Sequence, residues 1–242
     1  MVPKERTALW APDPVGDRRK GLVKMVRFSS DADILKYEPI LFGELHLPGQ
    51  VLAAGTGGTL SGTTFTASGA NFISSQVQAD GVIYLQSADG TVDGTYEIVS
   101  VDSATQLTVS VVRADSDSEA VAPPSATNIS YRVGTFEPQA EEVGFRLTEH
   151  FGIQPGNPAS DIDVEDILDT GVLKQASVFA VISSVYATLA SGSNDKNLWS
   201  KSMHYRRLFE KARERCRLSI DVGSDGVADV TKIGGCVKLV RD

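Results

Sequence analysis

Positively charged residues are missing from a long stretch of this 242-residue chain. No Lys or Arg occurs between Lys36 and Arg113, and the whole chain carries a formal net charge of −8. Proteins that bind nucleic acid generally present a basic surface, so this balance argues against a general nucleic-acid binder. With 41% hydrophobic residues, the chain can still bury one large core or two modest ones.

Cysteine and histidine are also scarce. The two cysteines, Cys216 and Cys236, occur without a secretory hydrophobic segment near the N-terminus. We therefore expect reduced thiols in a cytosol, with a disulfide between them as the alternative. The three histidines, His46, His150 and His204, stand apart in sequence from any nucleophile or cysteine cluster. The sequence thus predicts no catalytic residues, no enzymatic activity and no cofactor.

The longest apolar run, residues 172–190, is just long enough to suggest a membrane span. It contains Lys174, Gln175 and three serines, and no basic cluster flanks it. This composition favours a buried helix in a protein with no membrane partner.

Glycine, serine, threonine and valine dominate residues 50–134. Strand-like runs recur here between turn signals, at residues 63–67, 81–86, 95–101, 106–112 and 128–133. Short strands at this spacing predict a small antiparallel barrel or sandwich. The polar, proline-containing segment 114–127 is predicted to be an exposed loop.

Apolar residues recur at helical spacing between about residues 137 and 220. The pattern predicts helices over 138–152, 171–190 and 197–218, with a short acidic helix over 161–168. Short strands should follow to the C-terminus. Residues 1–30 have little apolar periodicity and include the basic run 18–20, which is typical of an extended arm.

The segment 221–229 has some of the features of a calcium-binding loop. Its candidate ligands are Asp221, Asp225 and Asp229, at positions 1, 5 and 9 of such a loop. Gly226 stands at position 6, but Gly223 replaces the oxygen ligand at position 3 and Lys232 replaces the acidic residue at position 12. Because Asp-Gly is a strong turn signal, we favour a turn between two strands, with a weak or lost metal site as the alternative.

The predicted last helix is strongly basic. The residues expected at an interface or channel are Arg206, Arg207, Lys211, Arg213, Arg215 and Arg217. Residues 137–169, in contrast, hold nine carboxylates against one arginine. The bases could contact DNA, form a solvated face, or pair with the acidic segment of the same chain. They could also meet that segment on the next subunit of a ring, where complementary charge fixes the register.

Two parts of the sequence resemble structural proteins of tailed bacteriophages. Residues 58–86 and 94–110, GTLSGTTFTASGANFISSQVQADGVIYLQ and GTYEIVSVDSATQLTVS, resemble a β module of such proteins. Residues 202–230, SMHYRRLFEKARERCRLSIDVGSDGVADV, with VKLVR further on, resemble the last helix and hairpin of head-to-tail connector, or adaptor, proteins. In that family a small helical bundle forms a ring beneath the portal, and a C-terminal segment docks on the portal.

The resemblance implies an α+β fold class. We expect a connector-like helical bundle with an inserted small antiparallel β barrel or sandwich and a C-terminal β hairpin. The expected units are an N-terminal arm (1–30), a helical connector-like domain (31–49 and 135–220), an inserted β module (50–134), and a C-terminal hairpin and docking tail (221–242).

The function implied is that of a structural virion protein, a head-to-tail adaptor that forms a ring between portal and tail around the DNA channel. The implied partners are other copies of the chain in a ring of twelve, the portal protein, a tail or stopper protein and, transiently and without specificity, packaged DNA. The protein would be made in the host cytoplasm and lie in the virion neck. The alternative is a calcium-assisted surface- or carbohydrate-binding module.

Overall fold

The computed structural model describes residues 26–155, 157, 160, 162–193 and 195–235. The basic run 18–20 and most of the expected arm (1–30) lie outside the described residues, as do Cys236 and the end of the expected docking tail. The described chain begins with a short helix, α1 (Asp31–Leu35), which the Ser30 side chain caps. Two 3₁₀ turns follow, Pro39–Leu41 and Pro48–Gln50.

Six antiparallel strands form a closed barrel. They are β1 (Val51–Ser61), β2 (Thr64–Thr66), β3 (Val82–Ser87), β4 (Asp93–Ser103), β5 (Gln106–Ser110) and β6 (Ala126–Gly134). Their order around the barrel is β1-β2-β5-β4-β3-β6. Strands β2 to β6 coincide with the five predicted runs. Strand β1 has no counterpart among those runs, and it closes the barrel because it pairs with both β2 and β6.

Aromatic rings fill the barrel. The ring centroids of Phe65 and Tyr131 lie 5.4 Å apart, and those of Phe72 and Tyr131 lie 5.8 Å apart. Aliphatic side chains from the strands, including Ile83 and Leu85, are fully buried around these rings. Alternating inward residues of a small barrel generally pack in this way, so the interior of this barrel is a core.

Two glycines of β1 make room for these rings. A Cβ at Gly55 would lie 2.7 Å from the Tyr131 hydroxyl oxygen, and one at Gly58 would lie 2.6 Å from the Phe65 ring. The pairing of β1 with β6 is irregular between these two positions, as expected for a bulged strand. Glycine weakens the strand signal in a sequence while it permits this close approach. For this reason the glycine-rich sequence did not predict β1, the strand that closes the barrel.

Three longer helices follow the barrel. They are α2 (Glu137–His150), α3 (Lys174–Ser193), which a 3₁₀ turn Thr170–Leu173 precedes, and α4 (Lys196–Arg215). These helices confirm the three predicted ones, although α3 continues beyond the predicted end at residue 190 to Ser193. The predicted short acidic helix is a 3₁₀ turn over Val164–Asp166.

Helix α3 is the central helix of the second core. Val181, Ile182, Val185 and Tyr186 are fully buried. By length and composition, Thr170–Ser193 is the one span among the described residues that could cross a membrane, and half of its most apolar window is buried inside the protein. Burial between α2 and α4 accounts for this apolar composition.

The chain continues into a two-stranded hairpin, β7 (Arg217–Ile220) and β8 (Val230–Ile233), which confirms the predicted hairpin. Leu218 and Ile220 are buried, and Ile220 also forms a bridge with Ile167. Beyond β8, the ring nitrogen Nε2 of His150 lies 3.0 Å from the carbonyl oxygen of Gly234. The hairpin is thus attached to both the 3₁₀ segment and the end of α2.

The predicted fold class, a connector-like helical bundle with an inserted small barrel or sandwich, is wrong. The described residues form a closed six-stranded antiparallel barrel with four helices and a two-stranded hairpin. Residues 31–49 contribute one five-residue helix and 3₁₀ turns where the prediction expected a part of a bundle. Helix α1 also contacts the barrel strands β3 and β4, and the Ala32 N–H donates to the Asp80 carbonyl oxygen over 2.9 Å. The proposed division into domains stays a prediction.

Replacing Gly144 with alanine is expected to destabilise the protein. In an exposed helix, alanine is about 1 kcal/mol more favourable than glycine. At Gly144 of α2, however, a Cβ would overlap the carbonyl oxygen of Val26, so we expect a loss of about 1–3 kcal/mol from overpacking.

Gly192 of α3 provides the matched control, because a Cβ there has open space around it. We expect Gly192→Ala to be neutral or to stabilise by up to about 1 kcal/mol. Urea unfolding of both variants measures the difference. A gain in stability for Gly144→Ala would contradict the close contact between α2 and Val26.

Candidate functional site

The basic face of α4 lies on the surface. Asp195 caps the N-terminus of α4, and its side chain accepts a hydrogen bond from the Asn197 N–H. Tyr205 and Ala212 are buried, and Leu208 and Phe209 pack against the same core, so these residues form its inner side. The exposed members of the predicted basic set are Arg206, Arg207, Lys211 and Arg215 on α4, and Arg217, which lies on β7 and not on the predicted helix.

Arg213 differs from the other members of the predicted basic set. It is half-buried, and its guanidinium carbon lies 5.2 Å from the centre of the Phe209 ring. Its Nε is buried and has no hydrogen-bond partner among the residues described. Gly234 packs closely against the Arg213 carbonyl oxygen, where a Cβ would overlap it. Arg213 therefore joins α4 to the end of the hairpin and is a poor candidate for a partner contact.

Few carboxylates neutralise the basic face within the subunit. Arg206 pairs with Glu210 one turn along the helix, with 3.3 Å between Nε and Oε1. In the described part of the chain, Arg207, Lys211 and Arg215 form no salt bridge. Because no carboxylate of the described residues pairs with them, these three bases are available to a partner. Each exposed pair that they form would contribute about 0–1 kcal/mol.

An acidic face lies on α2. Glu142 and Glu149 are exposed and Glu141 is half-buried. Glu142 is paired with Arg146, with 2.8 Å between oxygen and nitrogen, and both side chains are more than 60% exposed. Some other carboxylates of the acidic segment have local roles, because Asp163 and Asp166 cap the 3₁₀ turn between them. Of the carboxylates of α2, Glu149 is exposed and forms no salt bridge with a described residue, and the exposed Glu142–Arg146 pair is weak enough to be exchanged for a pair with another subunit.

The three aspartates of the calcium-like loop come together around its own backbone. Asp221, which is buried, accepts hydrogen bonds from the backbone N–H groups of Asp225 (3.2 Å) and Gly226 (2.6 Å). Asp229 accepts from Val222 (2.9 Å) and Gly223 (3.0 Å). Across the described residues, no group of three or more His, Cys, Asp or Glu side chains is arranged to hold a metal ion. The carboxylate oxygens act as turn-stabilising acceptors, which supports the preferred turn.

Calcium is expected to leave the melting temperature unchanged. A ligand that binds only the native state must raise stability, so saturating Ca²⁺ and excess EDTA should give the same melting temperature if the carboxylates serve only the turn. Differential scanning calorimetry measures this. A calcium-dependent rise in the wild type that Asp229→Asn abolishes would show a metal site instead.

A buried polar cluster, unforeseen from the sequence, is centred on Glu38. Its carboxylate accepts hydrogen bonds from the hydroxyls of Tyr186 (2.6 Å) and Tyr205 (2.8 Å) and from Lys201 Nζ (3.0 Å). Burial acts to raise the pKa of Glu38, but the hydrogen bonds from Tyr186, Lys201 and Tyr205 outweigh it, and the pKa is lowered. Burial, together with the bond to Glu38, raises the pKa of both tyrosines. Both hydroxyls thus stay protonated at neutral pH and donate to the carboxylate.

The Glu38 cluster fastens three parts of the fold together. Glu38 follows α1, Tyr186 lies on α3, and Tyr205 and Lys201 lie on α4. The partners are 148 to 167 residues apart in sequence. No local motif could have revealed them.

A second buried ion pair joins Glu97 of β4 to Arg113. The Arg113 Nη2 donates to Glu97 Oε1 over 2.7 Å, and Nε donates to Oε2 over 3.3 Å. Nη1 of the same arginine donates to the carbonyl oxygens of Ser116 (2.9 Å) and Ser118 (2.8 Å). This arginine therefore anchors the start of the predicted loop 114–127. In the sequence, Arg113 stands out as the first base after the long stretch without Lys or Arg. This position was the feature from which a structural role of Arg113 could have been suspected.

An open cavity of about 680 Å³ lies between α1, the start of α3 and the barrel. Asp31 lines it and accepts a hydrogen bond of 2.8 Å from the Phe136 N–H. Burial raises the pKa of Asp31 to about 7, although the bond from Phe136 lowers it. Lys36 and Lys174 also line the cavity, and both pair with Asp33.

Comparisons with protein-family models, curated proteins and solved structures found no match to this chain.

Proposed function

We propose that this chain is a structural head-to-tail adaptor that assembles into a ring between the portal and the tail of a bacteriophage-like particle. The observation that supports this proposal is the presence of two unlike charged faces on one subunit. One is the basic face of α4, with Arg207, Lys211 and Arg215. The other is the acidic face of α2, with Glu142 and Glu149.

Unlike faces favour head-to-tail association. When one face of a subunit binds a different face of its neighbour, the contact repeats, and a suitable rotation closes it into a ring. Opposite charges on the two faces steer the encounter and disfavour a like-to-like dimer, because like charges would then meet. This is the assembly that an adaptor around a channel needs.

Bases of α4 that do not enter the interface can face the channel. Contacts to DNA phosphates carry no sequence information, so a moderate number of bases would let DNA pass without reading it. The net charge of −8 keeps the rest of the subunit from attracting DNA. Contact with packaged DNA would then be transient and non-specific.

The neighbours in the proposal come from the family resemblance. They are the portal protein on one side and a tail or stopper protein on the other, with twelve copies of the chain in the ring. The place of action is the virion neck, after synthesis in the host cytoplasm. The role is structural, without enzymatic activity or a cofactor.

The alternative, a calcium-assisted surface- or carbohydrate-binding module, has less support. The aromatic rings of Phe65, Phe72 and Tyr131 are committed to the barrel core. The carboxylates of Asp221 and Asp229 are committed to backbone N–H groups. Both features leave fewer groups for sugar or calcium than such a module uses.

Charge reversal tests the proposed interface. The triple variant Arg207→Glu, Lys211→Glu, Arg215→Glu replaces three attractions with repulsions. At about 0–1 kcal/mol for each pair, we expect subunit association at low salt to weaken by about tenfold to a hundredfold. Sedimentation velocity at low and high salt measures the association.

The reciprocal variant provides the matched control. Glu142→Lys, Glu149→Lys subunits should also associate poorly alone, but mixing them with the triple variant should restore association. If the triple variant associates as strongly as the wild type at low salt, this interface is ruled out. Tight DNA binding by the free wild-type subunit would favour a nucleic-acid role for the basic face.

A further inference from the structure

The cavity beside α1 has an excess of carboxylates, and the described chain begins at its rim. Arg27 and Phe28 line it, together with Lys36 and Lys174. The carboxylates that line it are Asp31, Asp33, Asp80, Glu97, Asp115 and Glu137. Acidic side chains thus outnumber basic ones two to one in a space large enough for several side chains.

Most of these carboxylates already have partners. Their contacts are Glu97 with Arg113, Asp33 with Lys36 and Lys174, Glu137 with Arg27, and Asp31 with the Phe136 N–H. Asp80 and Asp115, on the barrel side, are exposed and form no ion pair with any residue that the structure describes. Asp115 accepts hydrogen bonds from the N–H and hydroxyl of Ser118, and Lys36 and Arg113 act on its charge without forming a salt bridge to it.

The segment just before this rim has the complementary charge. Residues 18–24, RRKGLVK, hold four bases around the apolar pair Leu22 and Val23. An extended chain spans at most about 3.5 Å per residue, so the chain from Arg27 reaches at most about 10 Å at Lys24 and about 30 Å at Arg18. The short tether also gives this segment a high effective concentration at the cavity, in the millimolar range for short flexible linkers.

We propose that the cavity is the docking site for residues 18–24 of the same chain, with their bases against Asp80 and Asp115. The bases of the segment then neutralise the barrel side of the cavity. Salt weakens this docking, because the carboxylates are exposed. The proposal does not depend on ring assembly and holds equally for a monomer.

Carbodiimide coupling of the full-length wild-type chain tests the docking. The reagent joins a lysine amine to a carboxylate that it contacts, and mass spectrometry identifies the joined peptides. We expect links from Lys20 or Lys24 to Asp80 or Asp115 at low salt, and their loss at high salt. In a mixture of ¹⁵N-labelled and unlabelled subunits, each link should join peptides of the same isotope.

Two variants with the same change in charge make the test specific. Arg18→Glu, Arg19→Glu should lower the yield of the links from Lys24 by about tenfold, whereas Lys4→Glu, Arg6→Glu should leave it unchanged. An absence of these links in the wild type, or an equal loss in both variants, would overturn the proposal. Links between peptides of different isotopes would assign the cavity to the arm of a neighbouring subunit and overturn docking within the chain.

Discussion

Replacing Arg113 with methionine is expected to lower the free energy of unfolding by about 3–5 kcal/mol. Methionine retains much of the packing volume but leaves Glu97, which is 3% exposed, without a counter-charge. The change also removes the hydrogen bonds from Nη1 to the carbonyl oxygens of Ser116 and Ser118, which hold the loop after β5. Urea unfolding followed by circular dichroism measures the loss.

Two further variants control this prediction. Replacing both partners, with Glu97→Leu added to Arg113→Met, should recover a large part of the loss, because no buried charge then remains unpaired. Arg146→Met on the exposed surface of α2 should stay within about 0.5 kcal/mol of the wild type. A loss of less than about 1 kcal/mol for Arg113→Met would show that the Glu97 pair is not a buried structural contact.

Replacing Glu38 with alanine is expected to cost about 2–4 kcal/mol, because the hydroxyls of Tyr186 and Tyr205 would lose their acceptor, at about 1–3 kcal/mol for each unsatisfied group. Tyr186 is fully buried, so water cannot easily replace the carboxylate there. Tyr186→Phe, which removes a single donor, should cost about 1 kcal/mol. Glu44→Ala, at an exposed position of the same segment, is the matched control and should be nearly neutral.

The effect of Glu38 should depend on pH with a defined sign. Because its pKa is lowered in the folded state, its contribution is fully present above the unfolded-state pKa of about 4.3. The contribution is lost as the pH falls through the folded-state pKa. The difference between wild type and Glu38→Ala should therefore be largest at neutral pH and shrink below about pH 4. A difference that does not change with pH would contradict an ionised Glu38.

Local patterns predicted most strands and helices of this protein. The runs that became β2 to β6 are short and bounded by turn signals, some alternating polar and apolar residues and one, 81–86, continuously apolar. The three long helices repeat apolar residues every three or four positions, so both patterns could be recognised in the sequence. Strand β1 lacks this alternation because Gly55 and Gly58 occupy positions where side chains would collide with Tyr131 and Phe65. Its glycines serve packing with partners that are far away in sequence.

The fold class could not be derived from the same patterns. Closure of a barrel depends on pairing between the first and last strands, and the β1–β6 pair joins Val51 to Gly134. The prediction of a bundle also gave residues 31–49 to the helices, whereas α1 contacts barrel strands as well as α3. Both errors concern contacts between distant segments, which no local period reveals.

The candidate site was predicted in part. Five members of the predicted basic set are exposed, namely Arg206, Arg207, Lys211, Arg215 and Arg217. Arg213 is the exception, because its contacts with Phe209 and Gly234 draw it inward. The Glu38 cluster could not be predicted from the sequence, because its members come from three separate parts of the fold.

The mass of the purified full-length protein at low salt, measured by native mass spectrometry with electron microscopy of the same sample, tests the proposed function most directly. We expect closed rings of one size, with a mass twelve times 25.8 kDa, that dissociate at high salt. A subunit that stays at 25.8 kDa at every concentration, alone and with a portal protein, would contradict it.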